Sequence, residues 1–271
     1  MQVRRFQVDP QLAPYIYSIR TFHTEVGLSA NDIRTVVPQG RLKLITPLKG
    51  SMRSQVNQQS LEHPEACIMV IGTMEGPVVV SSGPVTSLSV EFRPGMAYRF
   101  LGVSMKELLN ARHPLSAVLG CIGEELQWHL EETPLIEEKI RLIQRFLAHR
   151  LHTLVNVDPL VDAAVSFIQS TSGSLPVKTV CQELGYSKQY LERKFRDQVG
   201  LSPKLFSRIL RFQSAYDHWM IQPASKISWQ EHAELYYDQA HFIREFKQFT
   251  GFSPLEYTHQ FNELMQAVYQ P

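Results

Sequence analysis

The chain is poor in the features that mark several functional classes. Its three cysteines, Cys67, Cys121 and Cys181, lie too far apart for a metal motif, so reduced, half-buried thiols are expected rather than a disulfide framework. No run of about 18 uncharged apolar residues occurs, so no membrane span is expected. The opening stretch, Met1 to Asp9, lacks the apolar core of a secretory signal, which points to a cytoplasmic location. The first hundred residues hold only His23 and His63, with no His-x-His pair. A metal-binding barrel needs closely spaced histidines beside a carboxylate, so no metal site is assigned. Nucleophile elbow, phosphate loop and dinucleotide fingerprint are all missing, so no catalytic residue and no cofactor are assigned, and the reading is not an enzyme.

Charge of one sign is also scarce overall: 27 Lys and Arg against 26 Asp and Glu leave a net +1. The distribution says more than the total. Between Lys188 and Arg211 seven cations face two acids, Glu192 and Asp197. Between Phe212 and Phe242 one cation, Lys226, faces four acids. A polyanion would feel the first stretch most strongly.

What the chain does have is a repeat. Gly200-Leu201-Ser202-Pro203 returns as Gly251-Phe252-Ser253-Pro254, at an offset of 51 residues. At the same offset Ser187 returns as Asp238, Leu191 as Phe242, Arg193 as Arg244, Phe195-Arg196 as Phe246-Lys247 and Phe206 as Tyr257. Such a period marks two copies of one supersecondary unit. Each copy reads as a helix, a turn, a capped helix carrying cations, and a closing turn, which is the build of a helix-turn-helix DNA reader.

The 271 residues suffice for two domains with separate cores. Residues 1 to about 100 read as β-rich, with short apolar runs at Val36-Val37, Leu42 to Ile45, Ile68 to Ile71, Val78 to Val80 and Leu88 to Phe92. Glycine and proline punctuate them, which suggests a sandwich or barrel. Several runs lack polar alternation, as strands buried on both faces do. Short helices are expected at Met96 to Leu101, Lys106 to Leu109, Leu115 to Leu119 and Glu124 to Leu130. A longer one spans Leu135 to Leu154, with Ile136, Ile140, Ile143, Leu147 and Leu151 on one stripe. That stripe suits either packing on its own domain or a dimer seam. A boundary falls near Asn156 to Pro159, where Asp158 can cap a helix opening with Pro159. Residues 1–155 and 156–271 are thus the expected domains, the second almost wholly helical.

In the first unit, at about 175–202, Val177 to Leu184 is a helix closed by Gly185, and Ser187 caps the next. Tyr186 is expected to pack between the helices. Leu191 and Phe195 face inward, while Gln189, Glu192 and Arg193 can reach base edges. Lys188, Arg196, Lys204 and Arg208 suit phosphates, which position without specifying. In the second unit, at about 226–254, Asp238 is the cap and Phe242 and Phe246 face inward. Gln239, Ala240, Ile243 and Arg244 face outward, and Lys247 suits a phosphate. Pro203 to Met220 reads as one rod between the units. If both second helices enter one face of DNA, the rod must span successive major grooves about 34 Å apart.

Residues from about Leu175 to Gln260 resemble the AraC/XylS family of bacterial transcription regulators. The resemblance lies in Gly185-Tyr186-Ser187, Tyr190 to Phe195, the string from Tyr237 to Lys247, and both Gly-apolar-Ser-Pro copies with Tyr257. More loosely, Val37-Pro38-Gln39-Gly40 and the string from Val90 to Met96 resemble the β-rich half of such regulators. The resemblance implies an α+β, two-domain protein: a cupin-like barrel with helices, then an all-α domain with two helix-turn-helix units. By position, the family's base-reading residues fall on Gln189, Glu192 and Arg193, and on Gln239, Ala240, Ile243 and Arg244. The implied partners are double-stranded DNA and RNA polymerase, with a small apolar or amphipathic effector in the first domain and a homodimer as further options. Activation is implied as the usual outcome.

Two positions depart from the family. Leu235 stands where a turn glycine is usual, and Trp229 to His232 show no small residue. The second turn is therefore expected to be strained or rebuilt, and the second unit to be the weaker reader. The rival reading is a non-enzymatic regulator that acts mainly through protein contacts, with weak or lost DNA binding.

Overall fold

The structure is a computed structural model that describes residues 2–27, 35–153, 158–221 and 235–260. The expected boundary at Asn156 lies outside the described residues, as do Trp229 to His232. The described residues contain ten strands in two antiparallel sheets. The six-stranded sheet runs β1 (Gln2–Phe6), β2 (Ile16–Thr24), β9 (Val85–Phe92), β4 (Lys43–Lys49), β7 (Met69–Ile71), β10 (Arg112–Pro114). The four-stranded sheet runs β3 (Thr35–Val36), β8 (Val78–Ser82), β5 (Met52–Val56), β6 (Gln59–His63). The β-rich half is thus two sheets rather than one closed barrel.

The period of two along β9 explains how this half is layered. Leu88, Val90 and Phe92 are 1, 1 and 0% exposed and join a core with α1 (Ala97–Leu101), α3 (Cys121–Glu132) and α4 (Ile136–Thr153). Ser87, Ser89 and Glu91 point the other way, into a cavity lined by both sheets. The central strands are covered on both faces, so the apolar runs show no simple alternation with solvent-facing residues. The β5–β6 hairpin is harder to read from its sequence because its strands are polar. Its two-residue turn, Asn57-Gln58, has φ of 47° and 67° at both positions, the geometry that matches strand twist.

One expectation needs correction and one alternative is decided. Lys106 to Leu109 form turns rather than a helix. The apolar stripe of α4 faces inward: Ile140, Ile143 and Leu147 are buried in the core of their own domain, and Ile136 and Leu151 pack against it. Of the two readings of that stripe, packing at home is the observed one. Cys121 is exposed, while Cys67 is half-buried and Cys181 buried.

The second core is aromatic. It is built on α5 (Pro159–Ser170), α6 (Val177–Leu184), α7 (Lys188–Val199), α8 (Pro203–Ile221), α9 (Gln239–Thr250) and α10 (Pro254–Gln260). Phe212 of α8 is fully buried, with ring centroids of Phe249 at 5.1 Å, Tyr216 at 5.4 Å and Phe246 at 5.6 Å. Val37 from the β-rich half belongs to this core as well.

The two halves meet at the end of α7. A helix terminus leaves carbonyls without partners. Here the Met105 N–H donates to the Asp197 carbonyl at 2.7 Å, and the Thr73 hydroxyl donates to the Val199 carbonyl at 3.4 Å. Gly200, at φ 87°, closes the helix in the left-handed region. A Cβ there would lie 2.5 Å from Thr73 Oγ1, so glycine serves both the turn and the close approach. A second contact joins Gly40 to the rod, where a Cβ would lie 2.8 Å from the Phe206 ring, and Gln213 Nε2 donates to the Pro38 carbonyl at 3.5 Å. Replacing Phe212 by alanine removes a fully buried ring from the centre of the aromatic core. The expected loss is about 3–5 kcal/mol, read as a lower midpoint in urea unfolding.

Candidate nucleic-acid interface and cavity

The first reading unit is built as its residues require. Helix α6 ends at Gly185, whose φ of 72° permits a tight turn. The Ser187 hydroxyl accepts from the Tyr190 N–H at 3.2 Å, satisfying one orphan donor of α7. Leu191 and Phe195 are fully buried, which turns the opposite face outward. Lys188, Gln189, Arg193 and Arg196 are exposed, and Glu192 is half-buried beside Lys188 at 3.9 Å. Lys204 is exposed at the start of α8.

Tyr186 does not pack between the helices. It is 49% exposed and stacks on Tyr190, with centroids 5.7 Å apart and planes 15° apart. Arg193 lies 5.2 Å from the Tyr190 ring, and the Tyr190 hydroxyl donates to Asp158 Oδ2 at 3.3 Å. The cation–π contact holds Arg193 against the Tyr190 ring and limits its rotamers. Spacing of Tyr186 and Tyr190 by four residues was the signal available in the sequence.

The second unit shares the design with different parts. Asp238 accepts from the His241 N–H at 2.6 Å, Phe242 and Phe246 are buried, and Gly251 closes α9 at φ 85°. Gln239, Ala240, Arg244 and Lys247 are exposed, and Ile243 is 37% exposed. Leu235 is half-buried against the aromatic core, and the residues before it in the turn lie outside the described residues. Tyr236 is buried, edge-on to Phe242 at 5.1 Å, and burial pushes its phenol pKa upward.

Arg208 does not face outward as a phosphate contact would. Its Nε donates to Glu245 Oε1 at 2.5 Å, and its Nη2 donates to Gln248 Oε1 at 2.6 Å. Glu245 is 2% exposed and also lies near Arg211 at 3.8 Å and His241 at 3.5 Å. A carboxylate so deeply buried requires cations, and this requirement draws Arg208 inward. The hub ties the second reading helix to the rod.

The cavity between the sheets has a volume of about 210 Å³. Its walls are mainly apolar, from residues such as Ile45, Met52, Met74 and Val80, but they carry a charged pole. Glu91, 2% exposed, accepts from Arg20 and lies 3.0 Å from Lys43 and 3.5 Å from Arg41. Burial pushes the Glu91 carboxyl pKa up, but the charges of Lys43 and Arg20 outweigh it and hold the pKa at about 2. Burial also lowers the pKa of Lys43. From the four-stranded sheet, buried His63 lines the same cavity, its pKa lowered to about 4 by burial and then by Arg112. The visible clue in the sequence was a carboxylate inside an apolar run, Val90-Glu91-Phe92. Among the described residues no cluster of three or more metal-ligating side chains converges, and no helix is long and apolar enough to cross a membrane.

The capped helices α7 and α9, with the rod α8 and a two-sheet domain beside them, are the framework of a DNA-binding transcription regulator. Residues 180–260 match a helix-turn-helix domain family, and residues 4–114 match a domain of unknown function (DUF6597). The helix-turn-helix match falls on the stretch whose sequence resembles the AraC/XylS regulators. No curated protein matches it. Among solved structures, it is similar to unsaturated fatty acid bound ToxT from Vibrio cholerae. The identity is 12% and the TM-score 0.48, with 95% of this chain and 98% of that one covered. The AraC-like transcriptional activator CuxR shares 17% identity at TM-score 0.29, covering 79% of this chain and 86% of that one. A cupin domain of an XRE family transcriptional regulator from Enterobacter cloacae shares 13% identity at TM-score 0.28, covering 34% of this chain and 96% of that one.

Two measurements probe these sites. Glu245→Ala leaves buried cations without their partner, so a stability loss of about 3–5 kcal/mol is expected in urea unfolding. His63 is neutral when folded, and its folded pKa lies below the ordinary value of 6.5. Its contribution is therefore fully present above about pH 6.5 and is lost as pH falls through about 4. Stability is expected to fall by roughly 3 kcal/mol over that window, and the fall is expected to shrink in His63→Gln.

Proposed function

We propose that this regulator reads DNA through Gln189, Glu192 and Arg193 of α7 and through Gln239, Ala240, Ile243 and Arg244 of α9. The observation that carries this reading is the pair of capped helices whose buried faces turn these residues outward. Arginine suits guanine, glutamine suits adenine, glutamate accepts from cytosine, and Ala240 and Ile243 suit a thymine methyl. Lys188, Arg196, Lys204 and Lys247 meet phosphates and set register. On this reading residues 156–271 form the DNA-binding domain and residues 1–155 regulate it. The protein activates transcription through contact with RNA polymerase.

Control by a small molecule is supported by shared backbone. The segment from Val37 to Arg41 lines the cavity, while its Val37 and Gly40 touch the aromatic core and the rod. An occupant that shifts this segment acts directly on the element joining the readers, which is what a coupling free energy between two sites requires. A homodimer, if formed, uses surfaces other than the buried stripe of α4.

Unit one carries more of the affinity on this reading, because its arginine is held against the Tyr190 ring and its surround is cationic. Duplex DNA enriched by the protein from a random pool allows fluorescence anisotropy against salt. Arg193→Ala is expected to cost about 1–3 kcal/mol in binding and to relax base preference at one position. Arg244→Ala is expected to cost less; a larger loss from Arg244→Ala overturns the ranking. Lys204→Ala is expected to weaken binding evenly across sequences and to reduce the salt slope by about 1. Failure to enrich any duplex overturns DNA reading itself and favours a regulator acting through protein contacts.

A further inference from the structure

The loop between β7 and β8, Gly72 to Pro77, reaches the ends of both reading helices. At its start the buried Thr73 donates to the Val199 carbonyl, and its Oγ1 occupies the space that a Cβ at Gly200 would need. At its end the loop meets α9. A Cβ at Gly251 would lie 3.9 Å from Pro77 Cγ, and one at Gly76 would lie 4.0 Å from the Gln248 carbonyl oxygen. Gly200 and Gly251 are equivalents in the repeat, 51 residues apart, and each closes its helix in the left-handed region. One short loop of the first half thus meets the same point of both repeat copies.

The loop is held from behind. The Asn110 N–H donates to the Thr73 carbonyl at 2.9 Å. The Asn110 side chain accepts from the Glu75 N–H at 2.9 Å and donates to Glu75 Oε2 at 3.0 Å. Asn110 has a φ of 55°, a region that asparagine tolerates better than most side chains. The Gly72 N–H donates to the Ala111 carbonyl at 3.0 Å, and a Cβ at Gly72 would lie 1.6 Å from the Leu108 carbonyl oxygen. The backing segment also caps α7 through the Met105 N–H. Loop and backing therefore form one hydrogen-bonded block against the C-terminal ends of α7 and α9.

Two readers on one duplex reinforce each other only where their separation matches the groove repeat, because the second contact is then intramolecular and its effective concentration depends on geometry. One base pair added between two sub-sites moves them apart by about 3.4 Å and turns them by about 34°. Within the second core, α8 and the Glu245 hub join the readers. We propose that the block of residues 72–77 and Asn110 is a second brace, supplied by the first half, and that it sets which spacing of sub-sites the protein accepts. Thr73, Pro77 and Asn110 are positioning residues. They lie on neither reading helix and act through the ends of both. This rests on the reading that α7 and α9 both contact DNA.

The test uses the full chain, a duplex enriched from a random pool, and fluorescence anisotropy. One base pair is inserted or removed between the positions whose base preference Arg193→Ala and Arg244→Ala relax. For the wild-type protein the altered spacing is expected to weaken binding by about tenfold or more. Asn110→Gly permits the same positive φ and removes the brace to Glu75, while Pro77→Ala removes the contact at Gly251. Each variant is expected to bind the enriched duplex within about threefold of wild type and to reduce the spacing penalty to about threefold or less. The penalty is a ratio of affinities for two duplexes, so a variant that only lowers the folded fraction leaves it unchanged. A penalty unchanged in both variants overturns the proposal, as does a wild-type protein indifferent to spacing. In both of those outcomes DNA is still bound, so the reading of DNA stands. Failure to enrich any duplex overturns that reading, and the brace falls with it.

Discussion

The last carbonyls of the first reading helix are capped by the other half of the molecule. Met105 and Thr73 supply donors that α7 cannot find within itself. This small set of hydrogen bonds sets where the first reader points. It also explains why the chain reverses at Gly200 with no room for a side chain: the turn and the domain contact occupy the same few cubic ångströms. The orientation of α7 is thus a property of both halves, and the exposed residues on its outer face inherit it.

Buried charge organises the rest. Glu91 gathers cations at one end of the cavity, and Glu245 gathers them between the rod and the second reader. Both are nearly inaccessible carboxylates whose desolvation is offset only by close cations. They differ in what they join. The Glu245 hub uses its cations to join two helices, whereas the Glu91 cluster joins three neighbouring strands, β2, β9 and β4, through Arg20 and Lys43.

Much of this was legible in the residues. The repeat at 51 residues located the capped helices α7 and α9, and the caps Asp158, Ser187 and Asp238 all accept where capping chemistry placed them. These are local features, governed by turn geometry and orphan donors. The long-range features were less visible. The α4 stripe could serve its own core or a partner, and only the fold decides which surface covers it. Arg208 reads as a surface cation until Glu245, 37 residues away in sequence, is seen beside it. Tyr186 reads as packing until its neighbour Tyr190 offers an exposed stack. The polar strands β5 and β6 carry little apolar signal because one face meets solvent and their register depends on the Asn57-Gln58 turn.

The place of Val37 in the aromatic core bears on how the chain can be divided. A fragment starting near residue 158 keeps every helix of the second core but loses Val37, together with the cover that the Gly40 loop gives Phe206. It also loses the donors at the end of α7. Such a fragment would carry an apolar, unsatisfied patch where the whole chain has an interface. Its solubility and its affinity for DNA would then reflect the cut as much as the reader itself.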